Sequence, residues 1–408
     1  MKQKKKRILT TMLSAMLVLV LCVTGTAALG SHPPAAPETV ANVQELETYF
    51  NKLVNYGDPP SLVFTVVKDG QPVYNRAFGM ADGPKQVSAT PDTVYHWWST
   101  TKIFTAVAIF QLQEKGLLNI DDPVVTYLPF FDVSYPSAAS PQITIRHLLN
   151  HSSGIPDNVP AVVGWMHLED EPALDQTAFL AKVLPDYSKL DFEPGTKSVY
   201  TNVGYMVLGS IIEKVSGETY EDYIRKNILQ PLKMDRTDFV YTTAMPDAAT
   251  GMHPLVSLQS TFLPFTYGSR LPGFIREVRA GRMWFNRFHA DSNPPTGLIG
   301  PAIDLSRFAA AYLNEGELDG QRILSPASIE QMTTEGHFSA SGPQIDSPVQ
   351  GLGWEICGDA CLEGGGGGAG FGSAMRLLPN QHLGLVLVAN STNIDRQAIL
   401  DLAASLDW

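Results

Sequence analysis

A chain of 408 residues, 44% of them hydrophobic and 17% charged, carries enough apolar material for a large core and too much for an intrinsically disordered protein. That length suits one large two-part domain or two domains. The formal net charge of −12 argues against a nucleic-acid binder, because such a surface repels polyanions and anionic lipid and favours neutral or cationic partners, or simply keeps the chain soluble.

The chain opens with a basic cluster, Lys2, Lys4, Lys5, Lys6 and Arg7, followed by an apolar stretch from Met12 to Val23 and small residues from Thr24 to Ala28. This pattern predicts an export signal over residues 1–30, cleaved near Ala28 or Gly30. If the segment is retained, Ile8 to Leu29 is barely long enough to anchor the chain in a bilayer, an N-terminal membrane attachment. Lipidation at Cys22 is disfavoured by the large Leu21 before it. Cleavage removes five cationic residues and takes the formal charge from −12 to −17. Residues 31–42, with Pro33 to Pro37, read as a linker.

From Val43 to Val54, Leu46, Tyr49, Phe50 and Leu53 recur at helical spacing. Ser61 to Lys68 reads as a strand, Asp69-Gly70 as a tight hairpin turn and Gln71 to Gly79 as the returning strand. From Ser99 to about Glu335 the patterns are mostly helical. An amphipathic run from Thr101 to Leu112 stops at Glu114-Lys115-Gly116, and further helices are predicted over Ile143–Leu149, Val203–Val215, Tyr220–Ile228, Asp304–Tyr312 and Pro326–Met332. Asp247 to Pro295 has no clean period, and its Pro, Gly and aromatic residues predict long loops over a cleft. Strands return at Ser373–Leu378 and Gly384–Val388, joined by Pro379-Asn380, and a last helix is predicted from Ile394 to Leu406. Strands at both ends with helices between predict an α+β fold. One antiparallel sheet, from residues 43–98 and 350–408, is flanked by helices as an α/β sandwich, with a mainly helical lobe inserted at 99–345 and a cleft at the seam.

Two cysteines remain after export, Cys357 and Cys361, with three residues between them. In an oxidising compartment a local disulfide is expected, with free thiols the alternative. A metal site is disfavoured, since no His or second Cys pair lies nearby in the sequence.

The stretch Trp97-Trp98-Ser99-Thr100-Thr101-Lys102 carries the candidate chemistry. On a helix, a three-residue step puts Ser99 and Lys102 on one face. Serine needs a neighbouring base to act as a nucleophile, and lysine is a poor base at its free pKa of about 10.4. Burial and the positive end of the helix dipole both disfavour its charged form, and the N–H groups of a helix start can stabilise an oxyanion. An S-x-x-K match also arises about once by chance in a chain of this length, so the pattern alone decides little. Further on, Val199-Tyr200-Thr201-Asn202 precedes an apolar helical run. Asn202 reads either as an ordinary N-cap or as a group for a substrate carbonyl, and Tyr200 either as core or as a proton donor made more acidic by a nearby lysine.

Taken together, Ser99-Thr100-Thr101-Lys102 and Tyr200-Thr201-Asn202 resemble the first two motifs of the serine β-lactamase and penicillin-binding protein superfamily, in its class C-like branch. Ile145 to Gly154, Gly204 to Gly209, Pro231 to Met234, Gly297 to Gly300 and Asp304 to Phe308 resemble it too, so the likeness runs from about Val43 to Leu406. The resemblance implies a β-lactamase/transpeptidase-like fold over residues 43–408 and needs no cofactor. It makes Ser99 the acylated nucleophile, Lys102 the general base, Tyr200 the proton relay and Asn202 a substrate-positioning group, with His151 and Gly154 as scaffold.

The third motif of that family is Lys or His, a small residue, then Gly, on a strand lining the cleft. Counting back from Gly370-Phe371-Gly372-Ser373 places it at Gly364-Gly365-Gly366, within a glycine run whose other reading is a flexible linker. The resemblance puts the second oxyanion donor at the N–H near Gly367, which a glycine retains, so Gly366 and Gly367 join the candidate substrate-binding set. The cation for a substrate carboxylate is missing. Arg376, ten residues beyond Gly366, lies about 33 Å away along an extended strand. Losing such a contact costs roughly 1.5–3 kcal/mol, about ten- to a hundredfold in binding, which argues against an efficient β-lactamase. There is no G-x-S-x-G, H-E-x-x-H or phosphate loop. The expectation is an exported serine hydrolase acting on ester or amide bonds of a small-molecule or peptide-like acyl substrate. The alternatives are a class C-type β-lactamase, or a binding or sensor protein that has lost turnover.

Overall fold

The apolar runs at the two ends of the chain meet in one sheet in the computed structural model, which describes residues 33–157, 166–257, 260, 263, 268–334, 338–339, 349–358 and 361–408. β1 (Ser61–Lys68) is buried along all but its last residue and turns into β2 (Gln71–Asp82) through Asp69 and Gly70, both at positive φ as a two-residue hairpin loop requires. A short β3 (Val87–Ser88) continues the edge. From the far end come β4 (Phe338–Ser339), β5 (Val349–Gln350), β6 (Glu355–Ile356), β7 (Leu362–Gly368), β8 (Phe371–Leu378) and β9 (Leu383–Ala389). They form a nine-stranded sheet in the order β4-β5-β6-β7-β8-β9-β1-β2-β3. The ends of the chain join at its middle, where β1 and β9 run antiparallel with Leu62 opposite Ala389 and Lys68 opposite Leu383.

Helices cover both faces. Helix α1 (Val43–Tyr56) is capped by the Asn42 side chain and ended by Gly57 at φ 85°, and it buries Leu46, Tyr49, Phe50 and Leu53 as its spacing predicts. With the last helix, α9 (Arg396–Ala404), it packs on Phe64, Val66, Leu385 and Leu387. Val63, Val386 and Val388 point to the opposite face and join the core of the helical lobe. That lobe contains α2 (Thr101–Glu114), α3 (Ile145–Leu149), α4 (Gln176–Val183), α5 (Asn202–Ser216), α6 (Tyr220–Ile224), α7 (Ala302–Leu313) and α8 (Pro326–Thr334).

Two local expectations need correction, and a third is refined. Helix α2 is not amphipathic: every residue from Thr101 to Leu112 is buried, because the helix runs through the centre with sheet on one side and helices on the others. The expected helix from Tyr220 to Ile228 is present, α-helical to Ile224 and continuing as a π-helix over Arg225–Leu229. Asp247 to Pro295 is not simply long loops. Met252–Pro254, Ile275–Arg279 and Arg282–Phe285 form a three-stranded antiparallel sheet, and Phe288–Ala290 pairs with Met166–Leu168. Strands of three to five residues are too short for alternation to register.

Cys357 and Cys361 are disulfide-bonded with their Cα atoms 5.0 Å apart, closing the β6–β7 connection. The expected export signal lies outside the described residues. Among the described residues no helix is long and apolar enough to cross a membrane.

Candidate active site

The turn that carries Ser99 is held from both lobes. Trp97 donates its backbone N–H to Leu298 O (3.0 Å) and its indole N–H to Gly300 O (2.9 Å). From the sheet, Ser373 Oγ donates to Trp97 O (2.5 Å) and lies 2.8 Å from Thr100 Oγ1. Trp98 sits at φ 50°, a left-handed conformation that costs a non-glycine residue about 1 kcal/mol or more and persists because these contacts fix the turn. Ser99 lies in the single 3-10 turn Trp98–Thr100, with Lys102 one turn on in α2.

Lys102 is 4% exposed and meets three acceptors: Asn202 Oδ1 at 2.8 Å, Pro295 O at 3.1 Å and Ser99 Oγ at 3.3 Å. Asn202 Oδ1 and Pro295 O can only accept. A neutral amine has two N–H bonds and one lone pair, so giving the N–H groups to those two acceptors aims the lone pair at Ser99 Oγ. Burial lowers the Lys102 pKa to about 7 from 10.5, opposed by the charges of Asp157 and Glu355. Tyr200 Oη donates to Ser99 Oγ at 2.7 Å, and the Lys102 ammonium lies 4.7 Å from the centre of its ring. The sequence expectation that lysine makes this phenol more acidic is reversed. Desolvation raises its pKa, Glu355 and Asp157 add to the rise, and the Ser99 hydrogen bond only partly offsets them, so Tyr200 holds its proton.

Asn202 is the first residue of α5 rather than its cap; Thr201 precedes it and makes no side-chain capping bond. The orphan N–H groups are served instead by Asp157, whose Oδ1 accepts from the backbone of Asn202 (2.7 Å) and Val203 (3.3 Å). Asp157 Oδ2 also accepts from Asn202 Nδ2 (3.1 Å), which fixes the amide with its oxygen towards Lys102. Sequence reasoning missed Asp157; its only signal was an acid after Gly154-Ile155-Pro156. His151, at φ 59°, accepts from Thr201 N (3.2 Å) and stacks its ring 4.6 Å from that of Tyr200. Burial, with Lys102 adding, lowers its pKa to about 3, so it stays neutral as scaffold. Gly154, at φ 78°, has no room for a side chain, since a Cβ would fall 2.3 Å from Phe192 O.

The glycine run is strand β7, lying flush on this turn. A Cβ at Gly366 would fall 2.1 Å from Trp97 O and 2.5 Å from Ser99 N; one at Gly364 would meet Ile103, and one at Gly368 the Trp98 ring. Alternate positions therefore face the turn, and Gly366 is the residue against Ser99. β6 pairs with β7 only at Leu362 and Glu363, so from Gly364 onward, Gly367 included, the outer edge of β7 has no partner strand among the described residues.

The cation question resolves differently from the sequence expectation. Arg376 is not remote, because the hairpin folds back and sets it opposite Glu363. What removes it is pairing, with Glu363 and with Asp401 (2.6 Å), at 7% exposure. A different cation does stand at the strand: Arg396, at the start of α9, donates from Nη1 to Gly366 O and Ser373 O. Glu355 was also missed. It lines the small cavity, about 30 Å³, that Ser99, Lys102 and Tyr200 share, and an adjoining cavity of about 310 Å³ that reaches Arg396.

The family model described as Beta-lactamase matches residues 46–407 of the chain. A protein of Escherichia coli K12, provisionally named a D-alanyl-D-alanine carboxypeptidase, is 27% identical over 356 residues, 81% of this chain and 76% of its own length. Protein flp of Staphylococcus aureus strain MW2 is 32% identical over 199 residues, and the match spans 49% of this chain but only 39% of that protein. Among solved structures, the octameric penicillin-binding protein homologue from Pyrococcus abyssi superposes with a TM-score of 0.70 at 26% identity, covering 89% of this chain and 77% of that one.

Proposed function

We propose that this chain, which belongs to the β-lactamase family of the serine β-lactamase and transpeptidase superfamily of serine hydrolases, is an exported hydrolase of ester or amide bonds acting through an acyl-enzyme at Ser99. One observation carries the reading: Ser99 Oγ lies between a buried lysine whose lone pair is aimed at it and a phenol that keeps its proton. Lys102 takes the Ser99 proton as Oγ bonds to the substrate carbonyl carbon. The N–H groups of Ser99 and Gly367 hold the oxyanion. Tyr200 gives its proton to the departing alcohol or amine and recovers one from Lys102, leaving the acyl group on Ser99. Water then releases the acid by the same path in reverse. Asn202 holds Lys102 and keeps one amide N–H free for a substrate carbonyl. The occupant is a small-molecule or peptide-like acyl compound, and the N-terminal segment directs the chain across a membrane and is removed or retained as an anchor.

A β-lactamase activity is the second reading, supported by Arg396 beside Gly366, where a substrate carboxylate could be met. The test is labelling with a fluorophosphonate and with penicillin, mapped by mass spectrometry, alongside turnover of a p-nitrophenyl ester and a chromogenic cephalosporin. The proposal expects sustained ester release and a Ser99 adduct, both absent in Ser99→Ala. Faster cephalosporin turnover moves the function to the second reading. One stoichiometric label with no turnover identifies a sensor, and labelling elsewhere than Ser99 overturns the mechanism. N-terminal sequencing of the mature protein tests export.

A further inference from the structure

The glycine strand beside Ser99 is held from its far side. β7 and β8 are joined by Ala369 and Gly370, both at positive φ, which makes a two-residue hairpin loop. Such a loop is closed by a hydrogen-bonded pair, here Gly368 with Phe371, and bonded and non-bonded pairs alternate from there along an antiparallel ladder. Gly366 and Ser373 are therefore a bonded pair, whose carbonyls point at one another's strand. Gly367 and Gly372 are a non-bonded pair, so Gly367 turns its N–H outward, to the edge with no partner strand among the described residues. The peptide that offers this N–H to the oxyanion is the one whose carbonyl is Gly366 O.

A cation stands behind that carbonyl. Arg396 Nη1 donates to Gly366 O and to Ser373 O (3.3 Å), the two carbonyls of the bonded pair. The guanidinium lies against a bare stretch of strand, since a Cβ at Gly367 would fall 3.2 Å from Nη1 and one at Gly372 3.7 Å from it. The missing Cβ of Gly366 points the other way, onto Ser99 N. The nucleophile and the cation thus face opposite sides of the same peptide. Helix α9 itself gives no reason for a cation at its first residue, because the first turn of a helix favours acids. Burial of the guanidinium is also unfavourable and lowers its pKa, while the charge of Glu355 opposes that fall. An arginine kept there against both effects, and still charged, acts on what it touches.

We propose that Arg396 is a positioning residue of the oxyanion hole, fixing and polarising the Gly366–Gly367 peptide from behind so that the Gly367 N–H becomes a stronger donor to the substrate oxyanion. This inference rests on Ser99 as the nucleophile and deepens that reading. A cation bonded to an amide oxygen draws electron density from the amide nitrogen, and hydrogen bonds linked through one peptide strengthen each other. The gain is largest in the transition state, where the substrate oxygen carries charge. It requires no charged group on the substrate, unlike a contact between Arg396 and a carboxylate.

The experiment uses p-nitrophenyl acetate, which has neither a carboxylate nor an amine for Arg396 to meet. Arg396→Ala is expected to lower kcat and kcat/KM by a similar factor, about tenfold, less than the loss of a direct oxyanion donor. Arg396→Lys recovers part of it. Added guanidinium ion, admitted through the cavity of about 310 Å³ that Arg396 lines, restores the rate of Arg396→Ala and leaves the wild type unchanged. Infrared spectra of the carbonyl-13C acetyl-enzyme, accumulated in Tyr200→Phe to slow deacylation, read the contact itself. The carbonyl band moves to higher frequency in Arg396→Ala/Tyr200→Phe and returns with guanidinium. Inhibition by phenylboronic acid, whose adduct puts a hydroxyl in the same hole, weakens about tenfold in Arg396→Ala without any turnover. A purely structural role lowers the unfolding temperature but leaves the band and its response to guanidinium unmoved, which overturns the proposal. So does a defect confined to a succinyl half-ester, which gives Arg396 to a substrate carboxylate. Mass spectrometry separates the two readings: an acetyl group on Ser99 with an unmoved band overturns this inference alone, and an acetyl group elsewhere overturns the acyl-enzyme as well.

Discussion

At the scale of single residues, the chemistry turns on how Lys102 shares its hydrogens. Two obligate acceptors hold its N–H bonds, and burial brings its pKa to about 7. On the proposed mechanism the base form is the active one, so kcat/KM should rise with pH through about 7 and level off above it. Tyr200 adds no falling limb in the ordinary tyrosine range, since its pKa is pushed upward. Lys102→Met should lower kcat by about 10²–10⁴ and abolish the rise near 7, as a pH profile of initial rates would show. A profile that keeps the same acid limb in Lys102→Met would assign the titration to another group.

At the scale of elements, helix α5 begins on a borrowed cap. Asp157 comes from another segment, accepts the first N–H groups and orients Asn202. Asp157→Ala should destabilise the protein by about 1–2 kcal/mol, the usual worth of a lost cap, and should also lower kcat because the Asn202 amide can then turn. Chemical denaturation and steady-state kinetics on the same variant measure the two effects. The same element shows what a sequence does and does not reveal. Local patterns were readable: Ser99 and Lys102 one turn apart, Asp69-Gly70 between two strands, the apolar stripe of α1. Groups from far along the chain were readable only where the family resemblance marked them, as at Tyr200 and Asn202. Asp157, Glu355 and Arg396 reach the site only through tertiary packing, and each looks like an ordinary surface charge in the sequence. Arg376 was judged remote because distance was counted along a strand that in fact doubles back. The amphipathic reading of α2 failed for a related reason, since a few polar residues such as Thr101, Lys102 and Thr105 look solvent-facing until their buried partners are known.

At the scale of the molecule, the substrate-facing edge is assembled from the last part of the chain. β6 and β7 are joined by the Cys357–Cys361 bridge and paired over only two positions. Glu355 and the glycine strand thus depend on a short connection. Reduction, or Cys357→Ser with Cys361→Ser, should cost about 2 kcal/mol or less for so small a loop, leaving the nine-stranded sheet intact. It should loosen Glu355 relative to Gly366 and raise KM more than it lowers kcat. Calorimetry with and without reductant, and kinetics on the double variant, check both.

The seam between β1 and β9 has a consequence for how the molecule is made. A ribosome delivers Ser61 to Lys68 early, yet the strand that lies against it, Leu383 to Ala389, is among the last pieces to emerge. Until then a largely apolar strand waits with one flank bare, and the longest-range strand pairing among the described residues remains unformed. The central seam of the sheet therefore closes only after both strands are available.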